Sequence, residues 1–299
     1  MKNSLGTATA VLALTALVSA QSYVPQRVFD TRANTFIDFE TMVADLAKRQ
    51  VVFVGEQHDD PNTHRLELAV LEGLARRQKS VIVSLEMFER DTQEHVSKFL
   101  DGAIDEPTLL RDARPWPRYA TDYRPLVEFA RGQKWPVIAA NVPRPIASEV
   151  SKAGWVALTG KTDLEQTWFA ADRQCPTDDE YFKKFGQAMG THPAEGQSAE
   201  AAAQMAERFY FAQCLKDETM AESIARAHAV EKDPAPIVVH YNGAFHSDYG
   251  LGTAARVKRR LPNARIAIVT VIPVKNLDDL SVTDDQRARG DFVVFTIGK

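Results

Sequence analysis

The chain has 299 residues, an ordinary globular composition and a formal net charge of −4. At this length an α/β protein can form a single domain and bury a sizeable core. The charge is slightly negative and basic residues form no stripe, so we expect no nucleic-acid partner.

The N-terminus has the features of a secretory signal peptide. Lys2 precedes an apolar run at 11–17, and Val18-Ser19-Ala20 has the small residues of a cleavage site. The run is too short to span a membrane, and no other segment predicts a transmembrane helix. We therefore expect cleavage near Ala20 and a periplasmic or secreted protein. The expected organisation is a signal peptide at 1–20, an extended lead-in at 21–37 and one domain at 38–299.

Short continuous apolar runs, rich in Val and Ile, recur along the rest of the chain. They occur at 51–54, 81–85, 136–140, 237–242, 264–271 and 292–297. Continuous hydrophobicity is typical of strands covered on both faces, and helical patterns separate the runs. The sequence thus predicts an α/β fold with a mainly parallel sheet flanked by helices. From about 177 to 231 the pattern is helical only, which predicts a helical insertion or cap.

The chain contains two cysteines, Cys175 and Cys214. In an exported protein an even number of cysteines favours a disulfide. Such a bridge would join the loop before Thr177 to a long helix. The alternative is two buried free thiols, and the spacing does not favour a metal site.

Two Gly-x-x-His segments, Gly55–His58 and Gly243–His246, each follow a predicted strand. A third predicted strand ends on Glu86. If these strands are parallel neighbours, two imidazoles and the carboxylates of Glu56 and Glu86 meet at one edge of the sheet. This set of groups is typical of a metal site or an acid–base site.

Each of these residues also has a simpler interpretation. Glu56, His58 and His246 are alternatively solvated loop residues, and Glu86 alternatively forms a salt bridge with Arg90 or Arg144. The remaining histidines lack a comparable context. We expect a surface or loop position for His64, His95, His192 and His228, and a core position for His240.

Arg144 follows the predicted strand at 136–140 and is expected to reach the same edge. It could hold a carboxylate or a haem propionate, or form a structural ion pair in which Asp217 is its partner. An aromatic and basic segment contains Tyr119 and Tyr123. Phenolate oxygen is a known ligand of ferric haem, although aromatic residues near a helix start more often pack in the core.

Several motifs together resemble the ChaN-type haem-binding proteins of the Tiki superfamily. They include Val-Gly-Glu-x-His at 54–58, Leu-Glu-Met-Phe at 85–88, Ala-Ala-Asn-Val-Pro-Arg at 139–144 and Asn-Gly-x-x-His at 242–246. The resemblance implies export, haem binding linked to iron acquisition, tyrosine ligation and haem held between paired subunits. By this resemblance Tyr123 and Tyr119 are the candidate haem ligands, Arg144 is a candidate cofactor contact, and a homodimer is expected. The chain lacks the lipid-anchored cysteine of the lipoprotein members.

Hydrolytic Tiki-type relatives suggest a second function, a metal-dependent peptidase or esterase. Glu56, His58, Glu86 and His246 would then be catalytic, with His58, His246 and Glu86 as ligands of a Zn, Mn or Fe ion. A metal-free variant would use a histidine as base and a glutamate to orient it. Of these functions we favour an exported haem-binding protein, with the hydrolase as the alternative.

Overall fold

A computed structural model describes residues 24–78, 80–189, 198–229 and 235–298. The predicted signal peptide, the start of the predicted lead-in and His192 lie outside the described residues. Within them, no helix has the length and apolar character that crossing a membrane requires.

The described residues form one eight-stranded sheet in the order β2-β1-β8-β7-β3-β6-β4-β5. All neighbouring pairs from β8 to β5 are parallel, and only β1 pairs antiparallel with β2 and β8. The predicted α/β fold with a mainly parallel sheet is therefore confirmed. The strands are β1 Gln26–Asp30, β2 Thr35–Ile37, β3 Val51–Glu56, β4 Val81–Glu89, β5 Val137–Asn141, β6 Ile237–Gly243, β7 Ile266–Val274 and β8 Phe292–Ile297.

Helices cover both faces of the sheet. One face packs mainly against the first six helices and the other mainly against the seventh, tenth and eleventh, as expected for strands that are apolar on both sides. The helices are α1 Phe39–Leu46, α2 Pro61–Ala75, α3 Gln93–Leu100, α4 Glu106–Ala113, α5 Tyr119–Asp122, α6 Arg124–Gln133, α7 Arg144–Ala153, α8 Asp163–Gln166, α9 Glu180–Met189, α10 Ala199–His228, α11 Gly252–Arg260 and α12 Asp284–Ala288.

Helix α2 follows β3 directly and positions part of the candidate site. The Asp60 side chain accepts a hydrogen bond from the backbone N–H of Asn62, and Pro61 occupies the first turn, where its missing N–H costs nothing. The apolar stripe of α2 is buried against the sheet, and this packing fixes the rotation of the helix about its axis. The stripe contains Leu66, Val70, Leu71 and Leu74.

Helices α9 and α10 lie in the region expected to be a helical insertion. The last turns of α10 pack Ala221 and Ile224 against Val51 and Phe53, so this part of the helix is a covering layer of the sheet. A disulfide joins Cys175 to Cys214 on α10, with the two Cα atoms 5.9 Å apart. The bridge favoured by the sequence is therefore present.

The described part of the expected extended lead-in contains two strands. Within the described part of that segment, β1 and β2 form the antiparallel edge of the sheet, and β1 pairs with β8 along its whole length. Only Val28 and Phe29 of β1 are buried, and β2 has three partly exposed residues. Strands this short, with so few buried residues, lack the continuous apolar run by which the other strands were predicted.

Candidate functional site

The two Gly-x-x-His segments lie at the carboxyl ends of adjacent parallel strands. Strand β6 runs between β3 and β4, with Glu56 paired to Gly243 and Leu85 paired to Tyr241. The end of β6 is therefore flanked by Glu56 on one side and by Glu86 on the other. In open α/β sheets this edge is where ligands bind.

Gly243 is the point at which the two segments meet. A Cβ atom at this position would lie 2.8 Å from Nε2 of His58, so only glycine leaves room for the imidazole. The Gly243 N–H donates to Oε2 of Glu86 at 2.8 Å. Gly243 thus packs against the imidazole of His58 and hydrogen-bonds to the carboxylate of Glu86 on the neighbouring strand.

On the α10 side of the sheet, His246 is buried between two carboxylates. Its Nδ1 lies 2.7 Å from Oδ1 of Asp217, and its Nε2 lies 3.2 Å from Oε1 of Glu86. The Asp217 carboxylate also accepts hydrogen bonds from Tyr181 at 2.7 Å and from Thr253 at 2.8 Å. We call these five residues the α10-side cluster.

The charges in the α10-side cluster are mutually stabilising. Burial disfavours the imidazolium, but Glu86 and Asp217 outweigh it and raise the pKa of His246 to about 10. Burial would raise the pKa of Glu86, but the charge of His246 holds it well below its usual range. His246 is therefore an imidazolium at neutral pH, with both ring nitrogens engaged by carboxylates.

On the opposite face of the sheet, Glu56 begins a second buried group, the α2-side cluster. It contains Glu56, His64, Glu67, Asp122 and Tyr123. The Tyr123 hydroxyl donates to Oε1 of Glu56 at 2.6 Å, and His58 Nδ1 pairs with the same oxygen. His64 Nδ1 lies 2.9 Å from Oε2 of Glu67, its neighbour one helical turn along α2.

The pKa values of the two glutamates in the α2-side cluster are shifted in opposite directions. Burial and the adjacent Glu56 charge raise the pKa of Glu67 well above its ordinary value. Burial would also raise the pKa of Glu56, but hydrogen bonds from His58 and Glu67 and the charge of His64 lower it.

Above these residues lies an open cleft of about 810 Å³ between the sheet edge and α9. Its walls carry the aromatic rings of Trp116, Phe185, Phe245 and Tyr249. Its cations are Lys184, Lys216 and Arg289, and the Lys184 ammonium lies 3.6 Å from the centre of the Tyr249 ring. The His58 side chain is 50% exposed and opens into this cleft.

A family model described as "Haem-binding uptake, Tiki superfamily, ChaN" matches residues 42–257, which include both Gly-x-x-His segments and Glu86. The chain belongs to this family. The family membership inferred from the motifs is therefore confirmed.

Among solved structures, one shares the fold and another superposes more weakly. The structure titled "Cofacial heme binding to ChaN of Campylobacter jejuni" superposes with a TM-score of 0.65 at 18% identity, covering 91% of this chain and 97% of that chain. A solved erythromycin esterase superposes with a TM-score of 0.47 at 10% identity, covering 92% of this chain and 83% of that chain.

A curated relative is Protein RETICULATA-RELATED 5, chloroplastic, of Arabidopsis thaliana. It is 24% identical over 248 residues, which cover 76% of this chain. The chain spans about a third, 32%, of the length of that relative.

Of the residues predicted for the site of this ChaN-family chain, Glu56, His58, Glu86 and His246 all line the one cleft. The expected alternative partners of Glu86 are wrong, because it pairs with His246, and Arg90 pairs with Glu222. His240 is buried and bonded to Ser84, as expected for a core histidine, and burial lowers its pKa to about 4.

Three other predicted residues do not reach the cleft. Arg144 is exposed at the first turn of α7, and Asp217, its expected partner, instead binds His246. Tyr119 is buried against Phe88, remote from the cleft walls. Tyr123 is also buried, and its hydroxyl is held by Glu56.

Sequence reasoning missed His64, which is buried in the α2-side cluster and not on the surface. The signal was present, because His64 and Glu67 share the helical stripe of Leu71 and Leu74, and polar residues on a buried stripe need partners. Lys184 and Tyr249 were also missed. They come from separate elements, and no local pattern links them.

Proposed function

We propose that this protein is an exported haem-binding protein linked to haem or iron acquisition. Membership of the haem-binding uptake family supports haem as the ligand. The observation that carries the proposal is the aromatic and cationic cleft at the sheet edge. Such a cleft is chemically matched to a flat apolar ring system that carries two carboxylates.

The cleft fits this ligand in size and in the character of its walls. Its volume of about 810 Å³ is within the range of ligand sites, about 300–1,000 Å³. Trp116, Phe185 and Phe245 offer apolar faces to a porphyrin, and Lys184 and Arg289 offer positive charge to propionates. Lys184 and Arg289 therefore replace Arg144, which the sequence offered as a candidate contact for a haem propionate.

Tyr249 is the tyrosine that we propose as the iron ligand. Among tyrosines of the described residues, Tyr181 and Tyr249 line the cleft, and Tyr181 is only 2% exposed. The Tyr249 hydroxyl donates to Asp285 at 2.6 Å, and burial with this hydrogen bond raises the pKa of Tyr249 to about 12. Bound ferric iron would offset that shift by favouring the phenolate.

Hemin titration of the purified protein tests the proposal. We expect a saturable Soret band that weakens or shifts in Tyr249→Phe and is unchanged in the matched control Tyr119→Phe, whose ring is buried away from the cleft. A protein that shows no saturable haem spectrum would overturn the proposal.

Export and pairing are part of the same proposal. The Cys175–Cys214 disulfide supports an oxidising compartment, in agreement with the signal peptide expected at 1–20. The solved relative is described as binding haem cofacially, which supports a homodimer here. Export is tested by detecting the mature protein outside the cytoplasm. The homodimer is tested by light scattering with and without hemin, and a haem-bound monomer would refute it.

A hydrolase is the second candidate function, and the α10-side cluster favours it. A buried imidazolium with Glu86 and Asp217, beside the half-exposed His58, is a charged acid–base arrangement open to a cleft. The same His58, His246 and Glu86 could alternatively bind a Zn, Mn or Fe ion. Hydrolysis of a chromogenic ester that is lost in Glu86→Gln would support an enzyme, and equal rates in both proteins would exclude one that uses this residue.

A further inference from the structure

The His64 ring is oriented so that its Nδ1 atom faces the carboxyl groups of the α2-side cluster. Its Nε2 lies 3.1 Å from the backbone oxygen of His58, to which it can only donate. Its Nδ1 then faces Oε2 of Glu67 at 2.9 Å and Oε2 of Glu56 at 3.4 Å. One imidazole nitrogen and two carboxyl oxygens therefore converge on one buried point, where carboxylates need a proton, a charged group or a metal ion beside them.

The surrounding protein, within the described residues, leaves two oxygens of these carboxyl groups without a hydrogen-bond donor. Oε2 of Glu56 and Oε1 of Glu67 are buried, and neither receives a hydrogen bond from a protein N–H or hydroxyl group of the described residues. Tyr123 and His58 both bind the other oxygen of Glu56. The nearby cation Arg118 is committed to Asp122, with its Nε 2.6 Å from that carboxylate.

We propose that Glu56, His64 and Glu67 bind a divalent transition-metal ion on the α2 side of the sheet. One donor atom from each residue lies within 4.8 Å of the others. Metal–ligand bonds of about 2.0–2.2 Å place donor atoms about 3–4 Å apart, so only small side-chain shifts are needed. Two carboxylates and an imidazole suit Zn, Mn or Fe(II), and we use Zn²⁺ as the probe.

The contacts around these residues are those that orient metal ligands. The His58 carbonyl fixes the His64 ring, and Asp122 lies 3.4 Å from the same nitrogen. Tyr123 and His58 fix Glu56. This site adjoins the His58, His246 and Glu86 set at His58 but lies on the opposite face of the sheet from His246, and it does not depend on haem binding.

Zinc binding to the purified, chelator-treated full chain tests the proposal. We expect one Zn²⁺ per chain, bound more than about 100-fold more weakly by Glu67→Gln, because losing even a group that only hydrogen-bonds to a metal ligand costs about 10–100-fold. The matched control Glu72→Gln changes a glutamate of the same helix and should bind as the wild type does. His246→Gln should also retain the ion, because His246 is on the other face.

X-ray absorption on the zinc-loaded wild type provides a measurement that needs no variant to fold. The proposed site predicts one imidazole and otherwise oxygen ligands, whereas the cleft set predicts two imidazoles. No saturable zinc binding by the folded protein would overturn the proposal and leave a proton on Glu67 as the stabilising charge. Retention of zinc by Glu67→Gln, or a shell with two imidazoles, would overturn it as well.

Discussion

Asp217→Asn tests whether the α10-side cluster is held together by charge. The Asp217 side chain is fully buried, and its carboxylate binds His246 Nδ1 at 2.7 Å, Tyr181 at 2.7 Å and Thr253 at 2.8 Å. Removing one partner of a buried ion pair costs about 3–5 kcal/mol. Asparagine keeps the volume and one acceptor oxygen, so we expect a loss near the lower limit, about 3 kcal/mol.

The same substitution should change how stability depends on pH. His246 has a pKa raised from its ordinary 6.5 to about 10, so its folded form binds a proton more tightly than its unfolded form. Its contribution is fully present below pH 6.5 and is lost as pH rises through about 10. The wild type and Asp217→Asn should therefore differ most below neutral pH and converge above pH 10.

Urea denaturation from pH 6 to 10.5 measures both effects, and NMR titration of the His246 ring reports its pKa directly. Glu200→Gln is the matched control, because Glu200 is an exposed acid on the same helix α10, and it should change stability by less than about 0.5 kcal/mol. An Asp217→Asn protein as stable as the wild type, with an unshifted His246 pKa, would refute this description of the cluster.

Three further predictions concern other parts of the site. Gly243→Ala should lower the free energy of unfolding by about 1 kcal/mol, the lower end of the range for overpacking, because its Cβ would displace the half-exposed His58 ring, and an unchanged stability would contradict that contact. Reduction of Cys175–Cys214, which closes a separation of 39 residues, should cost about 2–4 kcal/mol by denaturation with and without reductant. Burial raises the pKa of Asp248 to about 6, so the stability that comes from its protonated form is lost as pH rises through 6. Asp248→Asn should therefore stabilise the protein by about 2 kcal/mol at pH 8 but not at pH 4.

The sequence predicts the central sheet well because its strands are buried on both faces. Runs such as Val51–Val54 and Ile237–Asn242 are apolar without interruption, and their bounds agree closely with β3 and β6. The strands β1 and β2 at the antiparallel end of the sheet were missed, because few buried residues leave too weak a pattern.

Within the site, the residues that follow strands were foreseeable and their partners were not. Parallel pairing of the strands brings Glu56, Glu86 and His246 to one edge of the sheet, independently of how the helices pack. Asp217 reaches His246 only because α10 packs at one rotation against the sheet, and that rotation depends on tertiary contacts. Arg144 was misplaced for the same reason, since α7 begins immediately after β5 and directs this side chain into solvent.

The position of bound iron tests the central claim most directly. An anomalous difference map of hemin-soaked crystals should place iron in the cleft beside Tyr249, between Trp116 and Phe185, with the propionates toward Lys184 and Arg289. Iron bound elsewhere on the surface, or no iron in crystals of protein that is folded and exposed to hemin, would contradict the proposed function.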